Sequence, residues 1–168
     1  INKKNKIIKK FKIIYLIPIL FTLGMSIFIA FNYNQLPDSI ATHWNINGSP
    51  DVFIDKSFLN VFKLIGTDFC LMVLLYITSI GSIKSRIKID TNRIEESRVE
   101  NIKYLNKIGY LFLILMIIMT TQFFTTLLSI KTKLSTAMNI TTLLVIIYLI
   151  ATYINSPNLK FRSEEHTS

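Results

Sequence analysis

The chain has a single cysteine, only five glycines and ten acidic residues among its 168 positions. It contains no phosphate-binding loop, no paired-cysteine motif and no long-period repeat. One cysteine, Cys70, cannot form an internal disulfide, so redox compartment stays open, and its apolar setting suggests a small packing residue. The most informative shortage is of charge. Ile13–Phe31, Ile108–Ile130 and Ala137–Asn155 contain no Asp, Glu, Lys, Arg or His, and between Lys63 and Lys84 the one charged residue is Asp68. Such gaps exclude an ordinary water-facing surface along these segments.

What is present is grease: 51% of residues are hydrophobic and the mean hydropathy is +0.45. A run of about 20 apolar residues crosses the roughly 30 Å hydrocarbon layer as a helix, where every peptide group must find its partner within the protein. Four such runs predict an all-α integral membrane protein with four transmembrane helices. The first carries Pro18, then Gly24, Ser26 and Ala30 at a spacing that lets helices approach closely. A signal peptide is the rival reading of this run, but its length and the lack of a small-x-small cleavage site favour a retained helix.

The net charge of +9 does not point to nucleic acid, because the basic residues flank the apolar runs. Lys3, Lys4, Lys6, Lys9, Lys10 and Lys12 precede the first; Lys84, Arg86, Lys88, Arg93, Arg98, Lys103 and Lys107 lie between the second and third. The positive-inside rule puts both groups in the cytoplasm. Lys131 and Lys133 oppose it but are outnumbered. The expected topology is N-in/C-in, with segments 1–12 (basic cytoplasmic N-terminus), 13–80 (two helices and outer loop 34–57), 81–107 (basic cytoplasmic loop) and 108–161 (helices three and four). Within 81–107, Ile94, Val99, Ile102 and Leu105 recur at helical spacing, and Glu95–Arg98 and Glu100–Lys103 are candidate i,i+3 pairs. The last heptad, 162–168 ("RSEEHTS"), resembles a translated sequencing adapter and is set aside as an artefact. His43 is then the one remaining histidine.

The outer loop "LPDSIATHWNINGSPDVFIDKS" carries most of the chemistry. Asn47-Gly48 is a strong two-residue hairpin signal. Ile40, Thr42, Trp44 and Ile46 alternate with Ala41, His43 and Asn45, and Val52 and Ile54 continue the pattern; Pro50 must open its strand or lie at an edge. A short extracellular β-hairpin follows, held down by Trp44 and Phe53. His43 with Asp38, Asp51 and Asp55 could ligate zinc, but one histidine is thin for a tetrahedral site. Hydrogen bonding that pins the hairpin explains the same residues. Ser39 or Ser49 beside His43 is too common an arrangement to name a catalytic residue. No catalytic residue, metal or cofactor is assigned.

Asp68 is the second residue of interest, since a carboxylate in a membrane span usually faces the bundle interior or a water-filled cavity. Candidate neighbours are Thr67, Thr121, Gln122, Thr125 and Asn139. Lys63 projects about 140° away on an ideal helix and is no obvious partner. The second span can begin at Phe58, with Ser57 as cap, or nearer Leu64. The first choice puts Asp68 near the midplane.

Leu36, Pro37, His43, Trp44, Asn45, Gly48, Pro50, Asp51 and Lys56, set between two apolar spans, form a pattern that resembles the domain-of-unknown-function family 1648. This short membrane module occurs in Gram-positive bacteria and at the N-terminus of proteins like the sporulation-delaying-protein immunity factor. The resemblance covers roughly residues 13–80. It departs from the family at Phe53, Ile54 and Asp55, where a Gly-rich stretch is frequent. It implies a polytopic protein of the bacterial plasma membrane, not an enzyme, related to toxin-immunity factors. The lipid bilayer and an extracellular peptide are the expected partners. A small ion-coupled transporter component using Asp68 is the alternative, and a metal-dependent membrane hydrolase a third.

Overall fold

The computed structural model describes residues 2–45, 49–85, 89–128 and 134–156, without the side chains of Asn2, Trp44, Thr126 and 134–139. The elements are α1 (Asn2–Ile14), α2 (Leu16–Phe31), a 3-10 turn (Tyr33–Gln35), β1 (Ser39–Trp44), β2 (Pro50–Asp55), α3 (Phe58–Lys84), α4 (Ile94–Leu127) and α5 (Leu134–Ile154). Gly48, the Asn47-Gly48 turn, the side chains of Trp44 and Asn139, and the final heptad lie outside the described residues.

Three helices are long and apolar enough to cross a membrane: Lys3–Phe31, Phe58–Lys84 and Ile94–Thr125. Their outward faces are apolar. Leu16, Ile17, Leu20, Leu23, Ile27 and Phe31 on α2, and Leu74 and Ile77 on α3, are all exposed. Apolar belts of this extent mark a surface made for a nonaqueous or protein partner, and lipid is the solvent that fits helices of this length. In α5 the described apolar stretch is Ile140–Ile154.

The first span is interrupted at Tyr15. Pro18 explains the position: it has no N–H for the carbonyl of Ile14, and its ring crowds that turn. Pro18 itself falls in the first turn of α2, where its missing donor costs little. The lysine-rich N-terminus is therefore more than a topology signal. It is a helix whose Ile7 and Phe11 are buried with Tyr15 against Ile80 and Ile83 of α3 and Leu105, Ile108 and Phe112 of α4. Lys4 donates from Nζ to the carbonyls of Lys84 (2.9 Å) and Ser85 (2.6 Å), capping the end of α3. Lys10 donates to Asn106 and lies over the Tyr110 ring.

α4 is the axis of the bundle, in contact with α1, α2, α3, α5 and β1. Its lower part extends the third span out of the apolar run, as the spacing of Ile102 and Leu105 predicts, and Glu95 pairs with Arg98 at 2.7 Å. Glu100 and Lys103 do not pair among the described residues. Ahead of the helix, the backbone N–H of Asn92 and the Arg93 guanidinium hold the Asp90 carboxyl below the usual carboxylate range. The close helix approach occurs at Gly109 of α4, where the Phe11 ring occupies the space a Cβ would take. Tyr15 finishes this joint by donating to the Gly109 carbonyl (2.8 Å) beside Ser79 (2.5 Å). The small residues of α2 do not play that part: Gly24 has no atom near its would-be Cβ, and Ala30 is exposed. Cys70, expected to pack, is also exposed.

Two apolar clusters stack along the bundle. One gathers Tyr15, Met72 and Met116; the other gathers Ile29, Leu36, Ile40, Val61, Ile65, Phe124 and Leu127. Between them each helix contributes a buried polar residue: Thr22 on α2, Asp68 on α3 and Thr120 on α4.

Gly109→Ala must push the Phe11 ring aside, an overpacking cost of about 1–3 kcal/mol. Gly24→Ala meets open space and should be neutral or stabilising by up to about 1 kcal/mol. Thermal unfolding of both variants in detergent checks the contrast; equal midpoints would contradict the tight joint.

Candidate functional site

The hairpin is built where the sequence pattern puts it, with Pro50 as the first residue of β2. The strands pair antiparallel, Ser39 opposite Asp55, Ile40 opposite Ile54 and Ala41 opposite Phe53. Beyond that point the register shifts twice. His43 faces Val52 and Trp44 faces Pro50, which leaves Thr42 as the extra residue on β1 and Asp51 as the extra residue on β2. A bulge bends its strand and re-aims the side chains after it. Ahead of the shifts the simple alternation expected from the sequence already fails, since the neighbours Ile40 and Ala41 are both buried. The unpaired Asp51 reaches His43, with Oδ1 at 2.5 Å from Nδ1. Asn45 closes the turn, donating its N–H to the Ser49 carbonyl (2.9 Å) and accepting the Ser49 N–H on Oδ1 (3.0 Å).

The hairpin is tied to the bundle by Lys56. Its side chain is 17% exposed and donates from Nζ to the Leu36 carbonyl (2.8 Å) and to Asp38 Oδ1 (3.0 Å), 5.9 Å from the Tyr33 ring centroid. Its backbone N–H donates to the Asp38 carbonyl (2.8 Å). The Asp38 side chain is 98% exposed, so that ion pair is screened and contributes well under about 1 kcal/mol. The charge-assisted bond to the half-sheltered carbonyl is the larger contribution, about 1.5–3 kcal/mol. Pro37 holds Leu36 extended (φ −66°, ψ 147°) and ends the 3-10 turn, which drops the Leu36 side chain into the cluster that also takes Ile40. On the return, the Ser57 hydroxyl caps the N–H of Asn60 (3.1 Å), and the Asn60 amide donates to the Asp55 carbonyl (3.0 Å).

Leu36, Pro37, Asn45, Pro50 and Lys56 thus share one task, fixing the hairpin's shape and seat. The attachment runs through Leu36, Ile40 and Ile54 and not through Phe53, which is half exposed. His43 and Asp51 are left facing outward, with side chains 63% and 40% exposed, next to exposed Val52 and Phe53. The four residues weighed together as metal ligands are separated: Asp51 joins His43, and Asp38 joins Lys56. Among the described residues no three His, Cys, Asp or Glu side chains converge. Lys56 was legible in the sequence only as a member of a pattern; that it reaches back 20 residues to Leu36 is a tertiary fact.

Asp68 is the second site. α3 starts at Phe58 with Ser57 as its cap, so Asp68 lies about 15 Å along the helix. It is buried, and its Oδ2 has no hydrogen-bond partner among the described residues. The nearby threonines bond along their own helices: Thr67 to the Lys63 carbonyl, Thr121 to Ile117 and Thr125 to Thr121. Around the same level Thr120 lies 3.4 Å from Thr22 and donates to Met72 Sδ at 3.3 Å.

Residues 14–66 match the model of a family described as "Domain of unknown function (DUF1648)". The matched segment holds α2, the hairpin and the first turns of α3, so it includes the Lys56 tie and stops just short of Asp68. No curated protein and no solved structure matches the chain.

Lys56→Met should release the hairpin, accelerating amide exchange and proteolysis across 39–55 and costing about 1.5–3 kcal/mol. Asp51→Asn removes only an exposed pair and should cost less than about 1 kcal/mol. Hydrogen exchange of the two variants measures the difference; equal protection would refute the ranking.

Proposed function

We propose that the protein is a polytopic, non-enzymatic component of a bacterial plasma membrane whose hairpin is an extracellular recognition surface. The observation that carries this reading is the division of labour within the hairpin. Of its motif residues, Leu36, Pro37, Asn45, Pro50 and Lys56 are spent on the seat, and the seat presents the motif residues His43 and Asp51 outward beside exposed Val52 and Phe53. A polar pair beside two exposed apolar side chains suits a peptide partner with one cationic or hydrogen-bonding group and an apolar flank. In the proposed topology α5 supplies a fourth crossing, the N-terminus lies inside, and thirteen basic residues hold that end at the cytoplasmic face. The likeness to modules found beside toxin-immunity domains makes self-protection against a membrane-active peptide the leading role.

A second reading rests on Asp68. A buried carboxylate with an unpartnered oxygen, level with Thr22 and Thr120, is the kind of group through which a small transporter component couples to a proton or cation.

In a Cys70→Ser background, a membrane-impermeant maleimide should label Ser49→Cys on intact cells and Glu95→Cys only after permeabilisation. The opposite pattern inverts the topology. Cells producing the protein should outlive control cells when challenged with membrane-active peptides, and His43→Ala with Phe53→Ala should abolish the difference while membrane yield is kept. Equal survival with and without the protein removes the protective role. Asp68→Asn separates the two readings: it leaves protection intact if the hairpin carries the function and abolishes it if ion coupling does.

A further inference from the structure

At the end of the bundle opposite the hairpin, α4 and α5 enclose an open groove of about 380 Å³ lined by Glu100, Lys103, Tyr104, Lys107, Tyr148 and Asn155. Residues 100, 103 and 107 fall on one face of α4, because positions three and four apart stack on a helix. Lys107 lies over the Tyr148 ring with Nζ 4.4 Å from its centroid, and neither Lys103 nor Lys107 has an acidic partner among the described residues. The groove sits where the polar start of α4 gives way to its uncharged run from Ile108. From the groove toward the hairpin end the apolar face of α5 is bare: Ile140, Leu144 and Ile147 are exposed.

We infer that this groove binds the headgroup of an anionic glycerophospholipid, with the phosphodiester between Lys103 and Lys107 and the acyl chains along α5. Two ammonium groups one helical turn apart bracket a tetrahedral anion, and basic pockets between helices at a membrane face are suited to such headgroups. Glu100 sets the selectivity. Its carboxylate leaves the groove with one net positive charge, which matches a singly charged phosphodiester and disfavours a phosphate dianion. With Asn155 it also offers hydrogen bonds to the hydroxyls of a glycerol headgroup. The inference depends on the membrane setting of the helices and is independent of what the hairpin recognises.

Native mass spectrometry of the full chain in detergent, titrated with phosphatidylglycerol, phosphatidylcholine or inorganic phosphate, tests it. Phosphatidylglycerol should bind saturably and more tightly than phosphatidylcholine, and inorganic phosphate should not displace it. Lys103→Gln with Lys107→Gln should weaken phosphatidylglycerol roughly tenfold or more, since each lysine near a lipid surface contributes about 1 kcal/mol. Lys103→Arg with Lys107→Arg should keep binding, and so should Lys3→Gln with Lys6→Gln, which removes the same charge from α1. The inference is overturned if the groove variant binds as the parent does, or if the α1 variant loses as much. Displacement of the lipid by inorganic phosphate overturns it too.

Discussion

A peptide group in hydrocarbon has no solvent to bond with, and that constraint governs how this chain is put together. Along the long helices the backbone satisfies itself. At several of the described helix ends and breaks, a side chain is brought in. Lys4 reaches the last carbonyls of α3, Tyr15 bonds the carbonyl of Gly109 beside the break made by Pro18, and Ser57 and Asn60 secure the start of α3. The hairpin is the largest departure from helix, and Lys56 is its counterpart to these caps, joining the segment that enters the loop to the one that leaves it.

This arrangement separates the parts that hold from the parts that are free to act. The apolar cluster around Ile40 and Leu36 fastens the hairpin between α2, α3 and α4, so the exposed His43–Asp51 pair is presented on a platform with little freedom to collapse. A pre-organised surface loses less entropy on binding than a floppy loop. The polar level at Thr22, Asp68 and Thr120 lies between the two apolar clusters. An unpaired carboxylate there costs folding energy that a wholly apolar layer would not, which is the physical reason to look for a use for it.

Much of the architecture could be read from the chain. The runs without charge mark the helices, because only hydrocarbon tolerates them. The turn-rich stretch and the Pro50 position mark a hairpin, and of the two starts open to α3 the structure takes the one capped by Ser57. The small residues of α2 misled: Gly24 and Ala30 promise close packing by type, yet the contact falls at Gly109, since a glycine permits a close approach without causing one. The lysine-rich start also hid a buried stripe, Ile7 and Phe11, beneath its charge. The expected attachment through Phe53 also failed: Phe53 pairs with Ala41 ahead of the register shifts, and its neighbour Ile54 is the residue that packs inward.

Local composition by itself determined which segments prefer lipid and that residues 36–56 form a turn-rich module, because these follow from transfer free energies and backbone preferences of each residue and its near neighbours. Only the tertiary structure decided that Asp51 meets His43 through a slipped register, that Lys56 reaches Leu36, and that Asp68 is enclosed with an oxygen unpaired. Those outcomes depend on distances between residues far apart in the chain, which packing sets and no single segment encodes.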